Sequence, residues 1–356
     1  MSINRLYHIW FRQIEQRWSH LRVTQKRNLA NLIVGIYLSK SVALHAIALK
    51  IPSQAVQLSI QRRLSRTLEN SALQVRDCYD PEIAPLLAEI SKKGVVRILV
   101  DGSKVGNNHQ LLMVSVAYRR RAIPVVWTWV KSSRGHSSSR KQLALLSHLR
   151  QLLPKDAQVL LLGDSEFGSV EVIRQVEKWH WYYVLRQKSS HLVKISGGKW
   201  KTFGDFISKA GESIWLGQGL LTQKHAHPVN LLAHWKKGEK IPWLLATNFD
   251  SRKATLRGYK VRMWIEEMFG DMKKHGFNLE SSRLRSFQKL SRLTFAVVLL
   301  YLWLVAFGSK IIKSGQRRLV DRNERRDLSI FQIGLRSVDK RITNQEPLSI
   351  SFRLYL

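Results

Sequence analysis

The chain has 356 residues, of which 59 are lysine or arginine and 25 are aspartate or glutamate, so its formal net charge is +34. This imbalance indicates a polyanionic partner, most simply nucleic acid, although an anionic membrane surface or a ribosomal neighbour also attracts basic proteins. Cys78 is the single cysteine, which excludes an intramolecular disulfide framework and a cysteine-rich zinc site. A reducing cytoplasm fits, and residues 1–12 mix charged with apolar side chains, so we expect no signal peptide.

Residues 1–92 are basic and have apolar side chains at helical spacing, for example over 29–38 and 55–68, which predicts a helical region. Pro52 and the Asp80–Pro81 pair are expected to divide it into short helices. A helical DNA-binding domain is the functional interpretation, in which an arginine cluster contacts phosphates; a solvated helix face explains the same cluster equally well. The cluster consists of Arg62, Arg63 and Arg66.

From Val95 onwards the pattern changes from helices to strands. Three apolar runs predict sequential antiparallel strands, and a helix, a strand, a helix and a further strand follow. This βββαβαβ order is typical of a mixed α/β sheet of the ribonuclease-H type. The strands are predicted at about 95–100, 111–118, 122–130, 158–163 and 181–186, and the helices at 141–153 and 168–179.

Two of the apolar runs end abruptly in an aspartate, Asp101 in one and Asp164 in the other. Buried strands would deliver both carboxylates at strand ends, where residues on adjacent central strands come together. Each aspartate alone is a weak signal, because aspartates after strands commonly cap turns or helices. Glu166 is a rival acid, but it would begin the next helix, where the helix dipole favours a carboxylate in any case.

Residues 187–247 are rich in glycine, lysine, histidine and tryptophan and contain short strand-like runs. They predict a β-rich insertion, which divides the sheet domain into residues 93–186 and 248–312. Three histidines of this segment lack an accompanying cysteine or spaced carboxylate, so we expect hydrogen-bonded or solvated side chains rather than metal ligands. These are His225, His227 and His234.

Four residues of the segment 259–273 would share one face of a helix, because at about 100° per residue they fall within an arc of roughly 60°. Glu266 would lie in the middle of this stripe, whereas Glu267 would point about 100° away. An aromatic ring, a carboxylate and two cations suit a metal ion held against a phosphate backbone, and a solvated face with one ion pair is the plainer alternative. The stripe consists of Tyr259, Arg262, Glu266 and Lys273.

The uncharged stretch 293–308 is slightly shorter than a helix that spans a bilayer. We interpret it as a helix buried inside a large domain rather than as a membrane span. Residues 313–356 are basic and weakly patterned. DNA contact and dimer formation are both open as functions of this C-terminal region.

The two aspartates and the four-residue stripe together resemble the DDE triad and the YREK signature of bacterial insertion-sequence transposases, over roughly residues 95 to 285. The resemblance implies that Asp101 bridges two Mg²⁺ ions, that Asp164 holds one and Glu266 the other, and that Mn²⁺ can substitute. Carboxylate oxygens are the ligands that Mg²⁺ prefers, so the residue types fit this assignment.

The resemblance also implies contacts to DNA. Arg262 and Lys273 would clamp phosphates, and Tyr259 would hydrogen-bond a phosphate at the transposon end. Trp243, late in the insertion, would stack on a base flipped out of the transposon end, although a tryptophan packed in the core explains this position equally well.

The expected protein is therefore a cut-and-paste DNA transposase that acts as a homodimer on double-stranded DNA, at terminal inverted repeats and at a target. Its expected location is the bacterial cytoplasm, in association with the nucleoid. A metal-dependent nuclease of the same fold is one alternative. A DNA-binding protein whose three acids have lost their catalytic task is another.

Overall fold

The computed structural model describes residues 2–106, 108–131, 137–322 and 324–355. The helices are α1 (Ser2–Arg17), α2 (Val23–Ser39), α3 (Leu44–Ala48), α4 (Gln57–Glu69), α5 (Val75–Ser91), α6 (Ser139–Leu152), α7 (Val170–Lys178), α8 (Arg252–Lys260), α9 (Trp264–Met272), α10 (Phe287–Lys313) and α11 (Ile330–Thr343). The strands are β1 (Val96–Val105), β2 (His109–Tyr118), β3 (Arg121–Lys131), β4 (Val159–Gly163), β5 (Tyr182–Arg186), β6 (Leu192–Ile195), β7 (Lys201–Thr202), β8 (Ser213–Leu221), β9 (His227–His234) and β10 (Trp243–Thr247).

The N-terminal region is helical, as its apolar spacing predicts. Pro52 separates α3 from α4, but the predicted break at Pro81 is wrong, because Pro81 and Pro85 both lie inside α5. The opposite face of that helix is anchored by buried side chains such as Tyr79 and Ile83, and the Tyr79 hydroxyl donates a 2.6 Å hydrogen bond to the Pro124 carbonyl. Packing of this kind outweighs the backbone hydrogen bonds that the prolines remove.

The centre of the molecule is a mixed sheet in which β1, β4 and β5 run parallel and the β2–β3 hairpin lies antiparallel beside β1. The order β3-β2-β1-β4-β5, with helices from the crossovers, is the ribonuclease-H-like arrangement that the sequence predicts. The structure differs at Asp101, which lies within β1 rather than at its end. Parallel pairing with β4 stops at Val100, but β2 continues to pair with β1 as far as Val105.

The β-rich segment between β5 and α8 extends the central sheet and does not form a sheet of its own. β10 pairs antiparallel with β5, and β9, β8, β6 and β7 follow, so that ten strands form one sheet. Without β10, β5 would present a row of unpaired backbone groups at the edge, and covering that edge removes the cost. The insertion is thereby placed next to the strands that carry the aspartates.

The uncharged stretch 293–308 forms the middle of α10 and is buried, as predicted. This 27-residue helix is the one helix of the described residues that is long and apolar enough to cross a membrane, and 89% of its most apolar window is buried inside the protein. α2, α4, α11 and β3 pack around it. Helices from both ends of the chain therefore share one core with the sheet.

The C-terminal region is more regular than its sequence indicates, because α11 packs tightly along α10. Two glycines allow the backbones to approach: a Cβ atom on Gly334 would lie 1.9 Å from the Leu304 carbonyl oxygen, and one on Gly308 would lie 2.0 Å from the Ile330 carbonyl oxygen. At this crossing the backbone of each helix leaves no room for a side chain on the glycine of the other, and backbone atoms cannot rotate away as side-chain atoms can.

We expect Gly334→Ala to lower the free energy of unfolding by about 1–3 kcal/mol or more, because the added methyl group must push α10 and α11 apart. Chemical denaturation followed by circular dichroism measures the change. Gly258→Ala in α8 is the matched control, since its Cβ would meet side-chain methyl groups and no backbone atom, the nearest being a Leu160 methyl group at 3.3 Å. Equal stability losses in the two variants would contradict the packing explanation.

Candidate active site

Asp101, within β1, and Asp164, which directly follows β4, lie at the same level of two neighbouring parallel strands. Val100 of β1 is paired with Gly163 of β4, so the next residue on each strand is an aspartate. Adjacent strands lie about 4.8 Å apart, which brings the two carboxylates within direct electrostatic reach. Gly163 permits close packing here, because a Cβ atom on it would lie only 3.0 Å from side-chain atoms of Phe167 and Val100.

Asp101 is a buried carboxylate, with 7% of its surface exposed. One oxygen accepts a 2.8 Å hydrogen bond from the Gly102 backbone N–H, and the other accepts one of 3.1 Å from Arg262. Burial raises the pKa of Asp101 to about 7, because it outweighs the lowering by Arg262, and the nearby Asp164 charge raises it further. The carboxylate is therefore short of positive charge, which is the condition in which an additional cation binds favourably.

Arg262 joins Asp101 to Glu266. Its Nη2 lies 3.1 Å from Asp101 Oδ2, and its Nη1 lies 2.6 Å from Glu266 Oε1. Burial alone would lower the pKa of Arg262, but Asp101, Tyr259 and Glu266 raise it, so the guanidinium stays charged. Its Nε is buried without a hydrogen-bond partner among the described residues. The sequence predicts a phosphate clamp at this position and does not reveal the contact with Asp101, which is 161 positions away.

The prediction that Tyr259, Arg262, Glu266 and Lys273 share one face of a single helix is wrong. α8 ends at Lys260, a 3₁₀ turn covers Val261–Met263, and only then does α9 begin. A 3₁₀ turn advances about 120° per residue instead of about 100°, so it rotates the following residues relative to the preceding ones. Arg262 lies in this turn and points into the site, between the two helices.

Tyr259 is 1% exposed, and the edge of its ring meets Trp243 at a centroid distance of 5.0 Å. Its hydroxyl has no hydrogen-bond partner among the described residues, and burial raises the pKa of Tyr259 to about 12. Trp243 is half-buried on β10, opposite His234. The neighbouring Pro242 carbonyl accepts a 2.7 Å hydrogen bond from Arg186 of β5. Trp243 thus connects the inserted strands to the site through Tyr259.

Lys273 lies at the C-terminal end of α9, outside the helix. Its ammonium group donates 2.8 Å to the Lys104 carbonyl of β1 and lies 2.7 Å from the Glu280 carboxylate. The lysine therefore ties α9 to β1 and is already paired with an acid.

Glu166, the rival acid, is held away from Asp101. One carboxylate oxygen accepts hydrogen bonds from the backbone and hydroxyl of Ser137, and the other accepts 2.9 Å from Gln110 Nε2. A Cβ atom on Gly102 would collide with that same Gln110 nitrogen, so Gln110 lies on the face of β1 to which a side chain at position 102 would point. Successive side chains of a strand point to opposite faces of the sheet, so Asp101 points to the other face. Glu166 accordingly belongs to the face opposite Asp101.

Among the described residues, no three His, Cys, Asp or Glu side chains stand close enough to hold a metal ion in their present rotamers. The donor types nevertheless fit, because Asp101, Asp164 and Glu266 supply only carboxylate oxygens, and the Asp101 carboxylate lacks full charge compensation. Glu266 is 46% exposed and is tied to Arg262.

The remaining predicted residues lie elsewhere. His225 and His227 are paired with Glu171 and Glu177 of α7, at 3.8 and 2.9 Å. On α4 the arginine cluster is divided between two grooves, one shared with residues 281–284 and the other with the start of α2. Arg62 lines the first groove, and Arg63 and Arg66 line the second.

Comparison with known proteins identifies a family and solved structures that resemble the chain. The sequence model of the transposase DDE domain matches residues 100–303, which is more than half of the chain and includes Asp101, Asp164 and Glu266. No curated protein matches the chain in sequence. A cryo-EM structure of a piggyBac transposase synaptic complex with hairpin DNA is similar at 11% identity and a TM-score of 0.36, covering 97% of this chain and 79% of that one. The extent of the family match shows that the chain belongs to the transposase DDE domain family.

Proposed function

We propose that the protein is a DNA transposase that moves an insertion sequence by cut-and-paste transposition, through phosphodiester hydrolysis and strand transfer at terminal inverted repeats. The observation that carries the proposal is the placement of Asp101 beside Asp164 on parallel strands, with Glu266 linked to Asp101 through Arg262. Membership in the transposase DDE domain family supports the same class of reaction.

The three carboxylates would hold two Mg²⁺ ions, for which Mn²⁺ can substitute. In this assignment Asp101, Asp164 and Glu266 would together supply the carboxylate oxygens that hold the ions. Bound there, the ions would make the attacking oxygen nucleophilic and neutralise the leaving oxygen. Water attacks first at the element end, and the freed 3′-hydroxyl then attacks the target without a covalent protein–DNA intermediate.

Arg262 has two successive partners in this proposal. In the structure it neutralises Asp101 and Glu266, and a guanidinium released from Glu266 would be suited to a bidentate contact with phosphate. Its buried position next to both acids supports this exchange. Tyr259, whose hydroxyl has no partner among the described residues, would donate to a phosphate of the transposon end.

Two further assignments require side chains to leave their present contacts. Lys273 would exchange Glu280 for a phosphate, and Trp243 would leave the edge of the Tyr259 ring to stack on a flipped base. The half-exposed position of Trp243 at the rim of the sheet supports its role.

The partner would be double-stranded DNA, bound by a homodimer in the bacterial cytoplasm at the nucleoid. Residues 1–92 would form the DNA-binding domain, and the exposed positions of Arg62 and Arg66 support phosphate contacts by α4. Residues 93–186 and 248–312 would form the catalytic domain around the insertion 187–247. The C-terminal region 313–356 contributes to the core through α11.

We expect Asp101→Asn, Asp164→Asn and Glu266→Gln each to reduce cleavage at a transposon end by at least about 100-fold, because each removes a charged oxygen ligand. Cleavage of a labelled end duplex in Mg²⁺ measures the loss. Glu267→Gln is the matched control beside Glu266, since Glu267 points to Arg121. Activity that survives Glu266→Gln but not Glu166→Gln would disprove the assignment of the third carboxylate.

Joining distinguishes transposition from its alternatives. Wild-type protein should insert a labelled, pre-cleaved end into plasmid DNA, which gel electrophoresis detects as a joined product. A nuclease of the same fold would cut the plasmid but join nothing. A DNA-binding protein without catalysis would do neither, and the three carboxylate variants would then be indistinguishable from the wild type.

The raised pKa of Asp101 predicts a pH-dependent response to Mg²⁺. A folded-state pKa of about 7 exceeds that of an unfolded aspartate, about 3.9, so the contribution of this residue to stability is present at low pH and is lost as pH rises between those values. Mg²⁺ replaces the proton, so it should raise Tm more at about pH 8 than at about pH 5.5. Differential scanning calorimetry of wild type and Asp101→Asn measures both effects.

Burial also raises the pKa of Asp271 to about 7. Asp271 is present in the wild type and in Asp101→Asn, so its contribution to the pH dependence of Tm cancels when the two proteins are compared. The Mg²⁺-induced rise in Tm should be absent in Asp101→Asn. An equal rise in the two proteins would place the ion elsewhere.

A further inference from the structure

The end of the sheet opposite the carboxylates is formed by the starts of β1, β4 and β5 and by the turn that joins β2 to β3. Val96 and Val159 open β1 and β4 side by side, and the turn at Arg119 and Arg120 lies next to them because β2 is antiparallel to β1. With strands about 4.8 Å apart, this basal edge is about 19 Å wide, and β1 rises about 17 Å from there to Asp101. The basal edge is therefore separate from the candidate active site.

Six exposed cations line the basal edge. They come from the loop before β1, the β2–β3 turn, the end of α6 and the loop before β4, and they are Lys92, Lys93, Arg119, Arg120, Arg150 and Lys155. The ion pairs between described residues all involve other cations. Glu89 and Asp156 are acids of this region without an ion-pair partner among the described residues. Glu267 and Asp271 are paired with Arg121 beside the turn, and Glu177, near the start of β5, is paired with His227. The six cations therefore outnumber the acids left to neutralise them.

The β2–β3 turn places arginine where the backbone disfavours it. Arg119 and Arg120 are its two central residues, between the paired Tyr118 and Arg121, and both have positive φ, 42° and 63°. Positive φ at both positions is the type I′ turn, for which Asn-Gly is the preferred sequence. Strained backbone of this kind is retained where the side chains have a use. The two guanidinium groups are therefore the feature of this turn that needs explanation.

We propose that the basal edge is a second surface for duplex DNA, which holds the phosphate backbone without reading its sequence. A row of unpaired cations about 19 Å long covers about half of a 34 Å helical turn, a length over which several phosphates are within reach. The proposal goes beyond catalysis at the carboxylates, and it does not depend on whether the protein cleaves or joins DNA.

One aromatic ring of the basal edge is accessible: Tyr182, at the start of β5, is 43% exposed, and one face of its ring is stacked on Phe249 at 5.1 Å. A single ring does not form a series of stacking platforms for the bases of single-stranded nucleic acid. Trp179 and Trp181 lie in the groove beside β4 and β5, but Arg150 covers the Trp179 ring at 5.4 Å, and Trp181 is 5% exposed and packs against Trp179 at 5.1 Å. Stacking proteins present accessible aromatic faces. Contact with phosphates is what the exposed groups of this edge can supply.

With a second DNA surface, one molecule would hold two duplex segments about 17 Å apart along the strand direction, one at the carboxylates and one at the basal edge. The occupant of the basal edge would be any segment that is not being cut at that moment, because contacts to phosphate alone carry no sequence information.

The test replaces the turn by its preferred sequence. Arg119→Asn/Arg120→Gly removes two cations and relieves the positive-φ strain, so Tm should stay equal or rise. For a random-sequence duplex, the slope of log K against log salt should decrease by about 1.8, which corresponds to two lost phosphate contacts. Anisotropy titrations at several salt concentrations measure the slope, and cleavage of a transposon end should remain at the wild-type level.

Lys199→Ser/Lys240→Ser is the matched control, since it removes two exposed cations from the insertion. A slope change no larger in the turn variant than in this control would overturn the proposal. Lys92→Gln/Lys93→Gln provides a second variant that leaves the turn intact, and it should reduce the slope similarly. Stronger loss of binding to anionic phospholipid vesicles than to duplex DNA, in both basal-edge variants, would assign the edge to a membrane surface and refute the DNA proposal.

Cross-linking locates the contact. Cys78 is buried, and burial raises its pKa to about 12, so a thiol introduced by Arg120→Cys is the reactive one for a photo-cross-linker. Cross-links to random duplex DNA are expected from this position. Their absence, at a concentration at which the variant is saturated with the duplex, would contradict the proposal.

Discussion

The ion pairs of Arg262 with Asp101 and Glu266 hold the candidate active site together. A buried guanidinium beside a buried carboxylate is costly to desolvate, and removal of either Arg262 or Asp101 would leave a buried charge without its closest partner. The same side chain is chemically suited to phosphate. The Arg262 guanidinium therefore links β1 to α9, and it is also the group of this site that is chemically best suited to a phosphate. It cannot make both sets of contacts at once.

The register of the central sheet decides where the carboxylates lie. Asp101 and Asp164 face each other only because Val100 is paired with Gly163, and a slip of one residue would move one carboxylate to the opposite face. β4 is buried along its whole length, and β1 is buried through most of its first half, so a slip would expose apolar side chains and is strongly disfavoured. The buried helix α10 supports the same sheet through β3.

Local patterns in the sequence predicted the strands, the order of the ribonuclease-H-like sheet and the buried helix at 293–308, because periodicity reports which faces are buried. Contacts between distant residues were not predictable in this way. The bond from Arg262 to Asp101, the pairing of β10 with β5 and the retention of Glu166 by Ser137 and Gln110 depend on tertiary packing. The single helix expected for 259–273 is divided because Val261–Met263 adopt a 3₁₀ turn, and none of these three residues is a glycine or a proline that would mark it.

The net charge of the whole molecule and the charge of the candidate active site have opposite signs. The net charge of +34 attracts DNA over a long range, yet the three carboxylates and the single Arg262 leave two negative charges at the site above about pH 7. Phosphates approach such a site only after further cations reverse its sign. The exposed arginines of α4 and the exposed cations of the basal edge are already positively charged, so they attract phosphates without further cations. Under the proposed function, long-range attraction would bring DNA to the surface first, and access to the carboxylates would follow their neutralisation.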